Sequence, residues 1–251
     1  MQFEVWQWLV GGLAALLIGM SKTGMPGVGI LTVTLLAQAF GGWYSVGLML
    51  PMLLIGDLFA IAWYRRHAHW GVLVRLLPWV VVGLVIGAVV LRYLGQNAQT
   101  KALMNPLIGT LVLLMLGLHL VQGKLGERFA PHSKLGTAGT GVAAGIATTI
   151  SNAAGPIMTI FLTAQQFPKE QFMGTIAWYF FIINASKVPI YCLQSLFTRD
   201  SLLLDLLLAP AIILGAFIGR WMLPRIPEKV FSTLILVLAA VGALFLFYAK
   251  K

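Results

Sequence analysis

Four residues stand where a polar side chain is costly. Lys22, Asp57, Asn184 and Lys187 each lie within or at the edge of a long apolar run. Beside them the chain is broken twice by short polar, glycine-containing stretches, Ser21-Lys22-Thr23-Gly24-Met25-Pro26-Gly27 and Ser151-Asn152-Ala153-Ala154-Gly155-Pro156. Ammonium groups, hydroxyls, amides and glycine N–H groups are the donors that hold an oxyanion. A helix that starts at a glycine adds unpaired N–H groups and about half a positive charge, and it lets the anion approach the backbone. The chemistry expected of this set is reversible binding of a small anion. Gly27 and Gly155 would begin the two helices that point at it, with Gly24 in the same tip; the competing role for these glycines is tight helix packing.

Each side chain also has a plainer use. Lys22 could supply a full charge beside the helix ends, or belong to a tip that reaches the aqueous surface. Thr148, Thr149, Ser151 and Asn152 suit anion oxygens, but small polar residues in membrane helices often bond their own backbone. Intramembrane charges are expensive and functional by default. Asp57 is the candidate proton carrier, yet it lies only roughly 10 Å by helix rise from Arg65 and Arg66, so a structural ion pair competes. Lys187 shares a helix face with Asn184. It is too deep to snorkel and needs an internal partner: an acid such as Asp57, carbonyls or a bound anion.

These residues require a scaffold that lipid will accept. The 251-residue chain is 59% hydrophobic and 10% charged, with a mean hydropathy of +0.91; soluble domains carry roughly 25% charged residues. At about 20 apolar residues per crossing, the chain holds roughly 6–8 spans and no sizeable soluble domain. The net charge of +10 sits in short connectors, as orientation in a membrane requires, so nucleic acid is not an expected partner. Cys192 is the single cysteine, which excludes a disulfide framework and any CxxC site. His67, His69, His119 and His132 fall in no metal-ligand spacing, and no cofactor or metal is expected. The start MQFEVWQWLV has no basic leader, so its apolar run is expected to stay in the protein.

Apolar segments cover 5–20, 25–40, 44–64, 71–94, 102–122, 136–150, 154–167, 171–196, 201–223 and 229–249. Six are long enough to cross. The four short ones form two pairs around the polar breaks, and a limb of about 16 residues reaches at most ~24 Å, short of the ~30 Å hydrocarbon. Two re-entrant hairpins with buried tips are the expected result. The halves also match: AQAF at Ala37–Phe40 falls on AQQF at Ala164–Phe167. In that frame Gly47, Asp57 and Tyr64 meet Gly174, Asn184 and Tyr191. After a gap, Pro78, Gly83 and Gly87 meet Pro210, Gly215 and Gly219.

The expected fold is an all-α polytopic membrane protein, one transmembrane domain over 1–251. Repeats at 5–122 and 134–249 are each a broken or re-entrant hairpin plus three transmembrane helices. Three crossings per half make the repeats inverted. One face then collects Arg65, Arg66, Lys124, Arg128, Lys134, Lys169, Arg220, Arg225 and Lys229. The other holds Arg92, Lys101, Arg199, Lys250 and Lys251, which puts both termini outside.

The first tip, reading GxxKTGxPGxG, the second, reading GIATTISNAAGP, and four apolar segments per half over the whole chain resemble the TauE/SafE sulfite exporter family. That resemblance implies secondary transport, as an exporter, of small sulfur-containing anions such as sulfite or organosulfonates by a multi-pass protein of the bacterial inner membrane. The partners expected are the anion and membrane lipid, with a homodimer left open. An uncoupled anion channel, or a carrier of another small carboxylate or organic anion, is the alternative. An enzyme is not expected: Ser186 and Lys187 are adjacent rather than set across helices, and no GxSxG, HExxH or Walker motif occurs.

Overall fold

A computed structural model describes residues 3–24, 28–125, 134–222 and the positions 237, 240, 241, 243 and 244. These residues form α1 (Val5–Thr23), α2 (Gly29–Phe40), α3 (Gly42–Tyr64), α4 (Trp70–Leu94), α5 (Ala98–Ala102), α6 (Met104–Leu125), α7 (Lys134–Ser151), α8 (Gly155–Thr163), α9 (Lys169–Leu193) and α10 (Arg199–Met222). No strand occurs among them. Six helical stretches are long and apolar enough to cross a membrane: Val5–Thr23, Gly42–His67, Trp70–Leu94, Ala98–Gly117, Lys169–Leu193 and Arg199–Met222. The protein is thus an all-helical, multi-pass membrane protein. Its outer faces are apolar, with Val85, Val89, Leu206 and Phe217 more than half exposed on α4 and α10, as a lipid-facing surface requires.

Two sequence expectations need adjustment. The first limb does not stop at residue 20: Ser21, Lys22 and Thr23 continue the helix, giving α1 19 residues, or roughly 28 Å. The Thr23 hydroxyl bonds both Gly19 O at 3.2 Å and Ala216 O at 2.7 Å, and Gly24 N closes on Met20 O at 3.0 Å. α1 is therefore long enough to span, and only its return limb α2, with 12 residues, is clearly short. In the second pair the polar break likewise shrinks to Asn152-Ala153-Ala154, and the return limb α8 has 9 residues. Segment 229–249, Gly27 and His132 lie outside the described residues apart from the five positions above.

The helices interlock across the chain. α1 packs most extensively on α10, and α7 on α4. In the first seam Gly19 lies against the Ile212–Ala216 backbone while Gly215 lies against Leu16 O; in the second Gly145 meets Val80 O and Gly83 meets Val142 O. A Cβ at any of these four positions would strike backbone, so glycine sets the helix spacing. The pairings advance together along both helices, so each seam is parallel. α3 and α9 instead run antiparallel: Gly47 approaches Leu196, Asp57 bonds Asn184, and Gly174 lies against Tyr64 and His67. This central pair carries the buried polar side chains Ser45, Asp57, Thr175, Asn184 and Lys187.

Basic side chains sort to the two ends of that pair. Arg220 stacks on Trp63 and Tyr64 at the end of α3, beside Arg65 and Arg66, and Glu170 reaches His67 there at 3.3 Å. At the start of α3, Lys101 lies over Trp43 at 5.2 Å. Because α7 runs parallel to α4, Lys134 belongs to the same end as Trp70 and Arg65.

Candidate functional site

A cavity of about 40 Å³ sits at the middle of α3 and α9. Room for a water needs roughly 10–15 Å³ on this measure, so it accepts about three water-sized groups. α3 contributes Met49, Leu53 and Asp57, α9 contributes Ile176, Ala177, Phe180 and Asn184, and the first turns of α2 and α8 contribute Gly29 and Gly155. Both helix starts therefore border one space. In the first, Gly29 does so; Gly27 lies outside the described residues. Pro156 follows Gly155 at the opening of α8, where a missing N–H costs nothing.

Lys22 enters from the last turn of α1. Its Nζ is 2.7 Å from Asp57 Oδ1 and 4.2 Å from the centroid of the Phe180 ring. Asn184 Nδ2 donates to the other carboxylate oxygen of Asp57 at 2.6 Å. These matched positions of the two halves thus touch each other directly. Asp57 is fully buried and Lys22 is 9% exposed, so Lys22 is no surface lysine. Asp57 pairs with Lys22 rather than with Arg65, Arg66 or Lys187: the two arginines lie beyond the end of α3, exposed, where water already solvates them.

Lys187 is held differently. Its Nζ donates to Asn152 Oδ1 at 2.6 Å, Thr148 Oγ1 at 3.0 Å and Thr148 O at 3.2 Å. These groups end α7, whose last carbonyls carry partial negative charge, so a helix terminus and an amide solvate this ammonium without a carboxylate. Asn152 adopts a left-handed φ of 56° and donates to Val46 O at 3.2 Å, tying the second tip to α3. Lys187 is close enough for its charge to act on both Asp57 and Lys22.

The expected residues divide accordingly. Lys22, Asp57, Thr148, Asn152, Gly155 and Asn184 line the cavity; Gly24, Thr149, Ser151 and Lys187 do not. Gly24 packs on the backbone of Gly219. Thr149 and Ser151 return their hydroxyls to Gly145 O and Ala147 O, the self-bonding that competes with ligand binding in helices. Lys187 stands one shell back, behind Thr148 and Asn152.

Sequence reasoning passed over three features. Phe180 lies over the Lys22 ammonium, and nothing in its local sequence distinguishes it from other apolar residues of α9. Tyr64 and Tyr191 brace the tips through hydroxyl bonds to Thr23 O (3.0 Å) and Thr149 O (2.8 Å); their repeat match was the available signal. Asp205 is 3% exposed on α10, an acid inside the run Leu202–Leu208, and the rule applied to Asp57 would have found it. Neither the curated proteins nor the solved structures compared with this chain give a match. Residues 10–246 match the family described as Sulfite exporter TauE/SafE, and with the match covering nearly its whole length the chain belongs to that family.

Proposed function

We propose that the protein is a secondary transporter that exports small sulfur-containing oxyanions, held between the two tips near the membrane midplane. Family membership makes it a membrane transport protein, and sulfur anions are the substrates that the family suggests. One observation carries the site: there are two buried ammonium groups and one buried carboxylate at a small central cavity, Lys22 lining it in a pair with Asp57 and Lys187 behind its Thr148 and Asn152 wall. Fully ionised, that set has an excess positive charge in a medium where charge must be neutralised. A bound monoanion supplies the balance, and the starts of α2 and α8 direct further partial positive charge at it.

Asp57 already acts as an anion toward Lys22. A substrate anion and the ionised carboxylate compete for the same ammonium, so protonating Asp57 frees Lys22 for substrate. This competition couples anion movement to a proton. Inverted repeats, with the tips approaching from opposite sides, would let either gate open while the shared centre stays fixed.

Purified protein in proteoliposomes tests the reading with sulfite, thiosulfate, short-chain sulfonates and acetate. Sulfur oxyanions should bind and exchange, acetate should compete weakly, and an imposed pH gradient should drive accumulation. Gly155→Val should remove binding while leaving membrane insertion intact. No binding of any sulfur oxyanion would overturn the proposal, and flux indifferent to the pH gradient would favour an uncoupled channel.

A further inference from the structure

Away from the central cavity, one buried acid among the described residues remains without a role. Asp205 lies on the face of α10 that carries Ser201, Leu204, Leu208 and Ile212 inward, and both of its carboxylate oxygens are enclosed without a hydrogen-bond partner. No ion pair reaches it among the described residues. In the register that places Pro210 on Pro78, its counterpart is Leu73, a side chain with no exposure. One half of the chain fills this position with leucine. The other pays the cost of a carboxyl in the same kind of packing, and an unsolvated acid held at such a cost points to a ligand rather than to packing.

The surroundings define that ligand. Gly11 against Leu208 sets the register of the parallel α1, which brings its Gln7–Val10 stretch, without acid or base, to the level of Asp205. From α3, Tyr44 presents a hydroxyl within the field of Asp205 and Asp200. On α10 itself Arg199 and Asp200 are exposed at the helix start. The Ser201 hydroxyl is committed, accepting from Thr198 N and donating to Thr198 O, and Thr198 Oγ1 accepts from Ser201 N. A metal cation takes several oxygen ligands, and the described residues around Asp205 bring no second buried carboxylate to it. A proton needs a single oxygen.

We propose that Asp205 is a proton-binding site, distinct from the central anion cavity. It takes up a proton when the α1–α10 seam closes over it against α3, and releases it when that seam opens to water. Asp205 sits at the end of the molecule that holds Tyr44 and Arg199. That is roughly 20 Å by helix rise from Asp57, the separation along α3 between Tyr44 and Asp57. The site therefore reads the proton on one side of the barrier and does not touch the bound anion.

Infrared difference spectroscopy of the purified protein reads the protonation of Asp205 without any anion, and transport assays then read its consequence. A protonated-carboxyl band should be present at neutral pH and absent from both Asp205→Asn and Asp205→Leu; the latter copies the side chain the other half already packs. Both variants should remain monodisperse and keep wild-type sulfonate affinity, while pH-gradient-driven accumulation falls at least tenfold. If Asp205→Leu retains the band, or loses it yet keeps the wild-type pH profile of transport, the assignment is overturned. A sodium-sensitive carboxylate band in place of the protonated one would make the site a cation site and equally overturn it. Failure of sulfonate binding in wild type would count against the central site alone.

Discussion

The two tips share a scaffold and differ in electrostatics. At each, a threonine hydroxyl bonds the carbonyl four residues back, Thr23 to Gly19 O and Thr149 to Gly145 O. At each, a tyrosine from the central pair bonds the tip backbone, and a glycine of the partner seam, Gly219 or Gly87, lies against that threonine. The ammonium groups are arranged unequally. The first tip carries its own lysine and binds a carboxylate from α3; the second carries neutral Thr148 and Asn152 and solvates a lysine from α9. Equivalent frameworks have thus been given one charged pair and one charge–dipole cluster. The lesson is that packing fixes where the tips meet, while a few side chains decide what charge they present.

The largest expected contrast comes from removing each ammonium. Lys22→Met leaves Asp57 buried without its counter-ion, a loss of about 3–5 kcal/mol for a broken buried pair. Lys187→Met strands only neutral oxygens, about 1–3 kcal/mol. Thermal unfolding in detergent should therefore rank Lys22→Met as clearly less stable. Both should weaken anion binding on the order of 100-fold, because a unit charge about 6 Å away at an effective dielectric of 20 contributes about 3 kcal/mol. Equal destabilisation by the two variants would erase the distinction between the tips.

A subtler test moves the carboxylate across the central pair. Asp57→Asn leaves Lys22 uncompensated, so the variant should be unstable alone and be stabilised by sulfite or a sulfonate more than wild type is. It should bind the anion at least as tightly yet fail to transport it, since the competing carboxylate is gone. Adding Asn184→Asp returns a carboxylate to the facing position, 2.6 Å away in the native contact. This exchange should recover anion-free stability. If the double variant melts no higher than Asp57→Asn, the two positions are not interchangeable partners of Lys22.

Much of this architecture was legible because lipid enforces simple rules. Apolar run length gave five of the six observed spans, and the repeat-matched glycines Gly83, Gly87, Gly215 and Gly219 lie in helix seams internal to the chain. The end of the first limb is not legible in the sequence, because Ser21, Lys22 and Thr23 have the composition of a break. Thr23 instead remains helical by bonding carbonyls of α1 and α10, a satisfaction that depends on a helix nearly two hundred residues away. The site was legible in its residue types and less so in its pairings. Asp57 could have met Arg65, Arg66 or Lys187, and only the position of the α1 end selects Lys22. Thr149 and Ser151 looked as suitable as Thr148 and Asn152, because helix phase alone decides which of them faces the cavity.

The smallest effect tests whether the two braces are equivalent. Tyr64→Phe and Tyr191→Phe each remove one hydroxyl from a backbone carbonyl while keeping the ring, a change of about 1 kcal/mol. Tyr64 lies beside Arg220, which stacks on its ring at 5.8 Å, whereas the Tyr191 ring faces the Lys187 ammonium at 5.7 Å. Neither cation–ring contact needs the hydroxyl, so both survive the substitution. The two variants should therefore lose similar stability, and each should loosen only its own tip. Amide hydrogen exchange should quicken around Thr23 in the first and around Thr149 in the second, with the opposite tip unchanged. Faster exchange at both tips from a single substitution would mean that the hairpins open together, through the Asp57–Asn184 contact that joins their spanning helices.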